Sequence, residues 1–192
     1  MKRFLVVGHR ASTSGDFSLN NMPGGAGRMD ILCRCVNASF FLSHGMRQDV
    51  ECYLVLLGEP AAPKTLLFKG SELRHLNPDE RSTGARIKKA LDTICGSEFR
   101  GSGEGIYVRK GGLERLLSEH EFAILDENGE DIRDAEDLPI SLILSDHENF
   151  SEEEERLLSN LRKVSVGPQV LHADHTITVV LNEMDRREDG TT

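Results

Sequence analysis

Apolar runs at "FLVV" (residues 4–7), "YLVLL" (53–57) and "ISLIL" (140–144), broken only by Ser141, constrain the fold most. The first two stop at Gly8 and Gly58, the third at Ser145-Asp146. A strand apolar at nearly every position must be covered on both faces, as in a parallel sheet between helix layers. "KTLLFKG" (64–70) reads as a second strand joined to 50–58 by a Pro-containing turn, and "GIYVRKG" (105–111) as another. "EFAILDENG" (121–129) reads as a strand closed by an Asn-Gly turn, and "VSVG" (164–167) as a short last strand.

The intervening segments carry helical spacing. In "RMDILCRCVNASFFLSHGM" (28–46), Ile31, Cys35, Ala38, Leu42 and Met46 recur every three or four residues, predicting one helix with Gly45 near its stop. "NPDERSTGARIKKALDTI" (77–94) starts with helix-opening residues and continues apolar at Ile87, Ala90, Leu91 and Ile94. "GLERLLSEH" (112–120) is a short helix, and "SEEEERLLSNL" (151–161) one with Ser151 as N-cap. The β-branched "TITVVL" favours a strand locally. Leu171, Thr178, Leu181 and Met184 nevertheless fit a helical stripe after the Gly167-Pro168 turn, so a helix is expected there. The tail 188–192 is expected to be disordered.

Strands alternating with helices predict a single α/β domain, a mostly parallel sheet flanked by helices. Ligands in such sheets sit beyond the carboxyl ends of the strands. Those ends are Gly8-His9, Gly58, Leu125, Ser145 and Gly167.

With 38% apolar and 29% charged residues, the chain has the composition of a globular protein with a sizeable core. No apolar run approaches twenty residues, and "MKRFLVVGH" is too short for a signal peptide, so a cytoplasmic protein is expected. Cys33, Cys35, Cys52 and Cys95 show no paired zinc spacing and read as free thiols. Charge is divided along the chain. Residues 1–110 hold 16 Lys+Arg against 11 Asp+Glu, a net +5, while 111–192 hold 7 against 21, a net −14. Only the first part suits a polyanion.

Motifs by themselves identify no chemistry. "HADH" (172–175) offers two imidazoles and a carboxylate, but no third metal ligand stands out among the other histidines. "NNMPGGAGRMD" (20–30) is glycine-rich before a helix, yet lacks the Lys-Ser/Thr ending of a phosphate loop. It places Arg28 and Asp30 at a helix start, with Arg34 and Arg47 on or just after that helix; such a face can bind RNA phosphates or be an ordinary solvated surface. "SHGMRQD" and "NPDERS" fit capping and ion pairing at least as well as catalysis.

Several segments together resemble one family. They include "GHRASTSGDFSLNNMPGGAGRMDILCRCVNASFFLSHGMRQDV", "FKGSELRHLNPDERS", "LILSDHENFSEEE" and "VSVGPQVLHADHTITVVLNEMDR". The chain resembles the archaeal tRNA pseudouridine N1-methyltransferases, the TrmY type of the SPOUT superfamily, over residues 3 to 187. The resemblance implies an α/β fold with a C-terminal deep trefoil knot, a rare exception to unthreaded chains. It also implies a homodimer packed through the knot region, S-adenosylmethionine held in the knotted loops, and N1 of pseudouridine 54 in the tRNA T-loop as acceptor. No metal and no membrane are implied.

By that resemblance the cofactor lies against Leu125, Leu144, Ser145, Asp146, Val166, Gly167, Pro168, Leu171 and His175. Ser145 stands where the family usually has glycine, and His175 where it usually has cysteine. Arg10, Arg28, Arg34, Arg47 and Arg81 are the expected RNA contacts, and Asp30, then Asp16, the expected proton acceptors. Pseudouridine is C-linked to ribose, so its N1–H is free for in-line alkylation by a sulfonium, which needs no metal. The same scaffold would also suit N1-methylation of pseudouridine in ribosomal RNA, or a non-catalytic RNA-binding assembly factor.

Overall fold

A computed structural model describes residues 1–190; of the tail expected to be disordered, Glu188 instead ends the last helix and pairs with Lys2, and residues 191–192 lie outside the description. The chain runs β1 (Lys2–Gly8), α1 (Met22–Gly25), α2 (Met29–Phe40), β2 (Phe41–Leu42), β3 (Gly45–Met46) and β4 (Val50–Leu56). It continues through β5 (Lys64–Lys69), α3 (Glu80–Leu91), β6 (Arg100–Gly103), β7 (Ile106–Lys110) and α4 (Leu113–Glu119). The last elements are β8 (Ala123–Asp131), β9 (Ser141–Ser145), α5 (Glu152–Leu158), β10 (Lys163–Ser165) and α6 (Ala173–Glu188).

One eight-stranded sheet has the order β10-β8-β9-β1-β4-β5-β7-β6. Its first five strands are parallel, and β5, β7 and β6 extend it antiparallel. The apolar runs are explained by burial on both faces. Phe4, Val6, Cys52, Leu54 and Leu56 pack with α2, α3 and α6 on one side. Leu5, Val7, Tyr53 and Val55 pack with Leu113 and Leu116 of α4 and Leu158 of α5 on the other. Among the described residues no helix is long and apolar enough to cross a membrane.

Local chemistry sets several element ends. Asp79 caps α3, accepting from the Ser82 N–H at 2.7 Å. At α5, Ser151 and Glu154 form the reciprocal capping box that satisfies two backbone donors. α6 is helical despite its β-branched run, because Ile177, Val180, Leu181 and Met184 are buried against the core.

Four expectations need correction. The helix expected over 28–46 ends at Phe40, and Phe41–Met46 form a two-stranded hairpin closed by Arg47 N–H on Phe40 O at 2.8 Å. Leu42 points outward, 50% exposed. α3 stops at Leu91, which leaves Ile94 86% exposed rather than on an apolar stripe. Leu171 precedes α6, and Thr178 lies on its solvent side; Ala173, Thr176 and Ile177 take the inward positions. Asn128-Gly129 does not close β8, since Glu130 and Asp131 go on to pair with Val164 and Ser165 of β10.

Candidate active site

The five parallel strands point the same way, so their carboxyl ends meet at one edge of the sheet. β1 runs to β4 on one side, while β9 returns to pair on the other, and the crevice at this reversal is where such sheets accept ligands. A cavity of about 650 Å³ opens beside it. Three loops wall it: 125–128 bulging from β8, 145–150 after β9, and 166–172 after β10, with Ala173 and Thr176 of α6 behind. The volume suits a nucleoside-sized ligand.

Leu125, Leu144, Ser145, Asp146, Val166, Gly167 and Leu171 all line this cavity. Pro168 and His175 are not among its wall residues, and the His175 side chain is 67% exposed. Gly167 has φ +137°, a conformation that side-chain-bearing residues rarely adopt, while a Cβ there would meet nothing within 4 Å. Backbone shape, not crowding, therefore requires the glycine. The Ser145 hydroxyl is folded into its own loop, donating to the Glu148 carbonyl. The wall offers apolar faces from Leu125, Leu144, Val166 and Leu171, with Asp126, Gln169 and backbone groups between them. That donor and acceptor set fits an adenosine, whose base has two apolar faces and a polar edge. Asp126, Asn128, Gln169 and Phe150 escaped the sequence reading, because nothing in their local patterns marks them.

Next to the cavity stands a charged cluster on α2. Arg28 is the α2 N-cap, in the left-handed conformation at φ 63° and ψ 34°. Its guanidinium donates from Nε to Asp30 Oδ1 and from Nη2 to Asp30 Oδ2, both at 3.1 Å. Arg34 Nη1 donates to Asp30 Oδ2 and to Glu80 Oε1, each at 3.2 Å, and Arg34 Nε lies 3.7 Å from Asp174 Oδ2. Burial of Asp30 pushes its carboxyl up, but Arg28 and Arg34 more than offset this and hold it below the ordinary carboxylate range. Both Asp30 oxygens are thus engaged with arginine N–H groups.

The five arginines separate. Arg10, 72% exposed, follows the end of β1 and reaches Glu148 Oε1 of the cavity rim at 2.5 Å. Arg81 lies exposed in the first turn of α3, bonded to Asn20 Oδ1. Arg28 and Arg34 share Asp30, and Arg34 also bonds Glu80, the neighbour of Arg81, which brings these three to the start of α2 and α3. Arg47 is elsewhere: it donates to both oxygens of Asp185 near the end of α6, roughly 18 Å along that helix from the cavity. Asp16 is also remote, on an exposed loop whose neighbour Phe17 accepts from Lys88 Nζ near the far end of α3. His172 and His175 stand with ring centroids 5.9 Å apart, and no group of three or more metal-binding side chains is assembled among the described residues.

The sequence model of a family described as "Putative SAM-dependent RNA methyltransferase" matches residues 1–189. A Methanocorpusculum labreanum protein named tRNA (pseudouridine(54)-N(1))-methyltransferase is 62% identical over 191 residues, covering 97% of this chain and 98% of that protein. A Methanospirillum hungatei protein of the same name is 48% identical over 192 residues, 99% of each chain. Among solved structures, the fold is similar to that of Archaeoglobus fulgidus Nep1 bound to S-adenosylhomocysteine, with a TM-score of 0.64 at 14% identity over 98% of this chain and 100% of that one. At that identity the likeness speaks for the fold alone, and it agrees with the α/β class expected from the apolar runs. The match over nearly the whole sequence settles membership: the chain belongs to this family of SAM-dependent RNA methyltransferases.

Proposed function

We propose that the protein transfers a methyl group from S-adenosylmethionine to N1 of pseudouridine 54 in the T-loop of tRNA. The observation that carries this reading is the 62% identity, across both chains, with a protein named for that reaction. The cavity at the strand ends agrees with it, and so do the arginines beside it. We further propose one SPOUT-type domain, resting on the single sheet shared by the basic and acidic parts. A trefoil knot is supported by α6 beside the β8–β9 connection, where Arg187 donates to the carbonyls of Ile132 at 2.5 Å and Ala135 at 2.8 Å. A homodimer packed through the loops of the knot is supported by Val170, 75% exposed just before α6. A cytoplasmic location accords with a tRNA substrate.

S-adenosylmethionine supplies, when bound, a methyl on a sulfonium that leaves as a neutral thioether. The protein's part is orientation and exclusion of water. Leu125, Leu144, Val166 and Leu171 give apolar surface for the adenine faces, Gly167 shapes the loop, and Ser145, Asp146 and Pro168 set the turns on either side. His175 would act from outside the wall. The acceptor nitrogen must be held roughly 3–3.5 Å from the methyl carbon. Arg10, Arg28, Arg34 and Arg81 are placed to grip phosphates around an extruded base, whereas Arg47 would contribute by tying α6 to the hairpin. Asp30, already bonded to two guanidiniums, is a weak proton acceptor and a good anchor; the N1 proton leaves to water on this reading.

The test is nucleoside mass spectrometry after incubation with S-adenosylmethionine and two T-arm RNAs, identical except for pseudouridine or uridine at the target. One added methyl on the pseudouridine RNA alone is expected. Methylation of neither, with methylation of ribosomal RNA instead, would overturn the T-loop assignment.

A further inference from the structure

His9 does not line the cavity, yet it touches the segments that shape one of its walls. It is the first residue after β1. Its backbone N–H donates to Asp146 Oδ2 at 3.1 Å, and its Nδ1 lies 3.0 Å from Asp146 Oδ1. Its Nε2 lies 3.0 Å from Glu154 Oε2, and its ring meets Phe150 edge-on with centroids 6.2 Å apart. Asp146 and Phe150 are cavity wall. Glu154 Oε2 also accepts from Ser151 N–H at 2.8 Å and Ser151 Oγ at 2.9 Å, closing the α5 cap. One ring therefore joins the end of β1, the 146–150 loop and the first turn of α5.

Both ring nitrogens face carboxylate oxygens. A neutral imidazole has one donor, so either tautomer would set a lone pair against a carboxylate; only the imidazolium satisfies both. We propose that His9, clamped as an imidazolium between Asp146 and Glu154, is a positioning residue that holds the 146–150 loop in the shape that receives the methyl donor. This rests on reading the cavity as the S-adenosylmethionine site. His9 touches no reacting atom, so it serves donor affinity rather than methyl transfer.

The charged groups that meet the ring are Asp146 on the loop and Glu154 on α5; His147 pairs with Asp146, Arg10 on the ring's own segment pairs with Glu148, and Arg28 at the head of α2 acts on Asp146 from a distance. The bond to Asp146 pushes the imidazole up, burial opposes it, and Glu154 adds to the rise, leaving it at about 9. Because the folded value lies above the ordinary 6.5, the contribution is complete below 6.5 and is lost as pH rises through about 9.

The experiment compares the full-length protein with His9→Gln by calorimetric titration of S-adenosylhomocysteine at pH 7 and pH 10, and follows the His9 ring by NMR in the unliganded protein. At pH 7 the variant should bind about 10-fold more weakly, the scale of one lost charge-assisted hydrogen bond. The wild type should lose a similar factor by pH 10 while the variant changes little, and the rate at saturating donor should be maintained within about twofold. The NMR titration should centre near 9. Equal affinity at pH 7, or a His9 titration near 6.5, would overturn the clamp. Should His9→Gln fail to fold, the NMR titration of the wild type still decides. Absence of binding by the wild type would instead fault the cofactor reading, and the NMR titration would still test the clamp.

Discussion

Replacing Asp30 with asparagine lowers kcat/KM for RNA about 100-fold and leaves donor affinity within about twofold. The Asp30 side chain is only 5% exposed, and its two oxygens accept three N–H bonds from Arg28 and Arg34. Asparagine keeps one acceptor and turns an NH2 group against a guanidinium, so donor meets donor. Arg28 then loses the bidentate partner that holds it. Its left-handed backbone costs about 1–3 kcal/mol and persists only while its surroundings fix it. Freed of Asp30, the guanidinium leaves the place from which it would grip RNA.

The loss should therefore appear as a raised KM for RNA. A fall in kcat alone, with KM unchanged, would instead make Asp30 the proton acceptor, and parallel loss of donor binding would place the damage in the fold. Steady-state rates over a range of RNA concentrations, with calorimetry for the donor, separate the three results. The arginines hold the Asp30 carboxyl below its ordinary 3.8. Its stabilising contribution is therefore complete above that value and lost only as pH falls through the lower folded one. No pH dependence from Asp30 is expected near neutrality.

Burial was legible in the sequence more surely than element type. Residues 4–7 and 53–57 read as buried strands because helices cover both faces, and no polar position interrupts them. The apolar spacing through Met46 suggested one long helix because Met46 does pack on the same core, but from a hairpin strand rather than from a further turn of α2. β6 left no apolar trace: "RGSG" has little side chain to bury and pairs with β7 through its backbone. The cavity wall was legible where it consists of strand ends, at Leu125, Leu144 and Gly167. The ion pairs were not. His9 meets Asp146 and Glu154 across 137 and 145 residues, and Arg47 meets Asp185 across 138. A charge's local neighbours say nothing about a partner that only the threading of the chain supplies, so Arg47 looked as free as Arg10.

Gly129→Val is expected to weaken donor binding about 100-fold, because the substitution misplaces the cavity wall itself. Ile124 pairs with Lys163 and Glu130 with Val164, so residues 125–129 bulge from β8 between two successive residues of β10. The bulge carries Leu125, Asp126, Glu127 and Asn128 onto the cavity wall. Asp126 braces it, accepting from Asn128 N–H and from Lys163 Nζ, both at 2.8 Å. At Gly129 the two chains nearly touch. A Cβ there would lie 2.5 Å from Val164 N and 2.6 Å from the Lys163 carbonyl carbon. These are backbone atoms, so no side-chain rotation relieves the overlap, and either the bulge or β10 must shift. β10 leads directly into the 166–172 loop, and two of the three cavity walls are displaced together. Overpacking of this kind costs roughly 1–3 kcal/mol, or a fall in Tm of about 3–10 °C for a chain of this size. Gly96 is the control, because a Cβ there meets nothing within 4 Å and Gly96→Ala should change neither quantity. Thermal melts and calorimetric titration of S-adenosylhomocysteine on the three proteins give the comparison. A lowered Tm with wild-type affinity for Gly129→Val would show that the donor is held without the β8 bulge, and would move the cofactor site away from that wall.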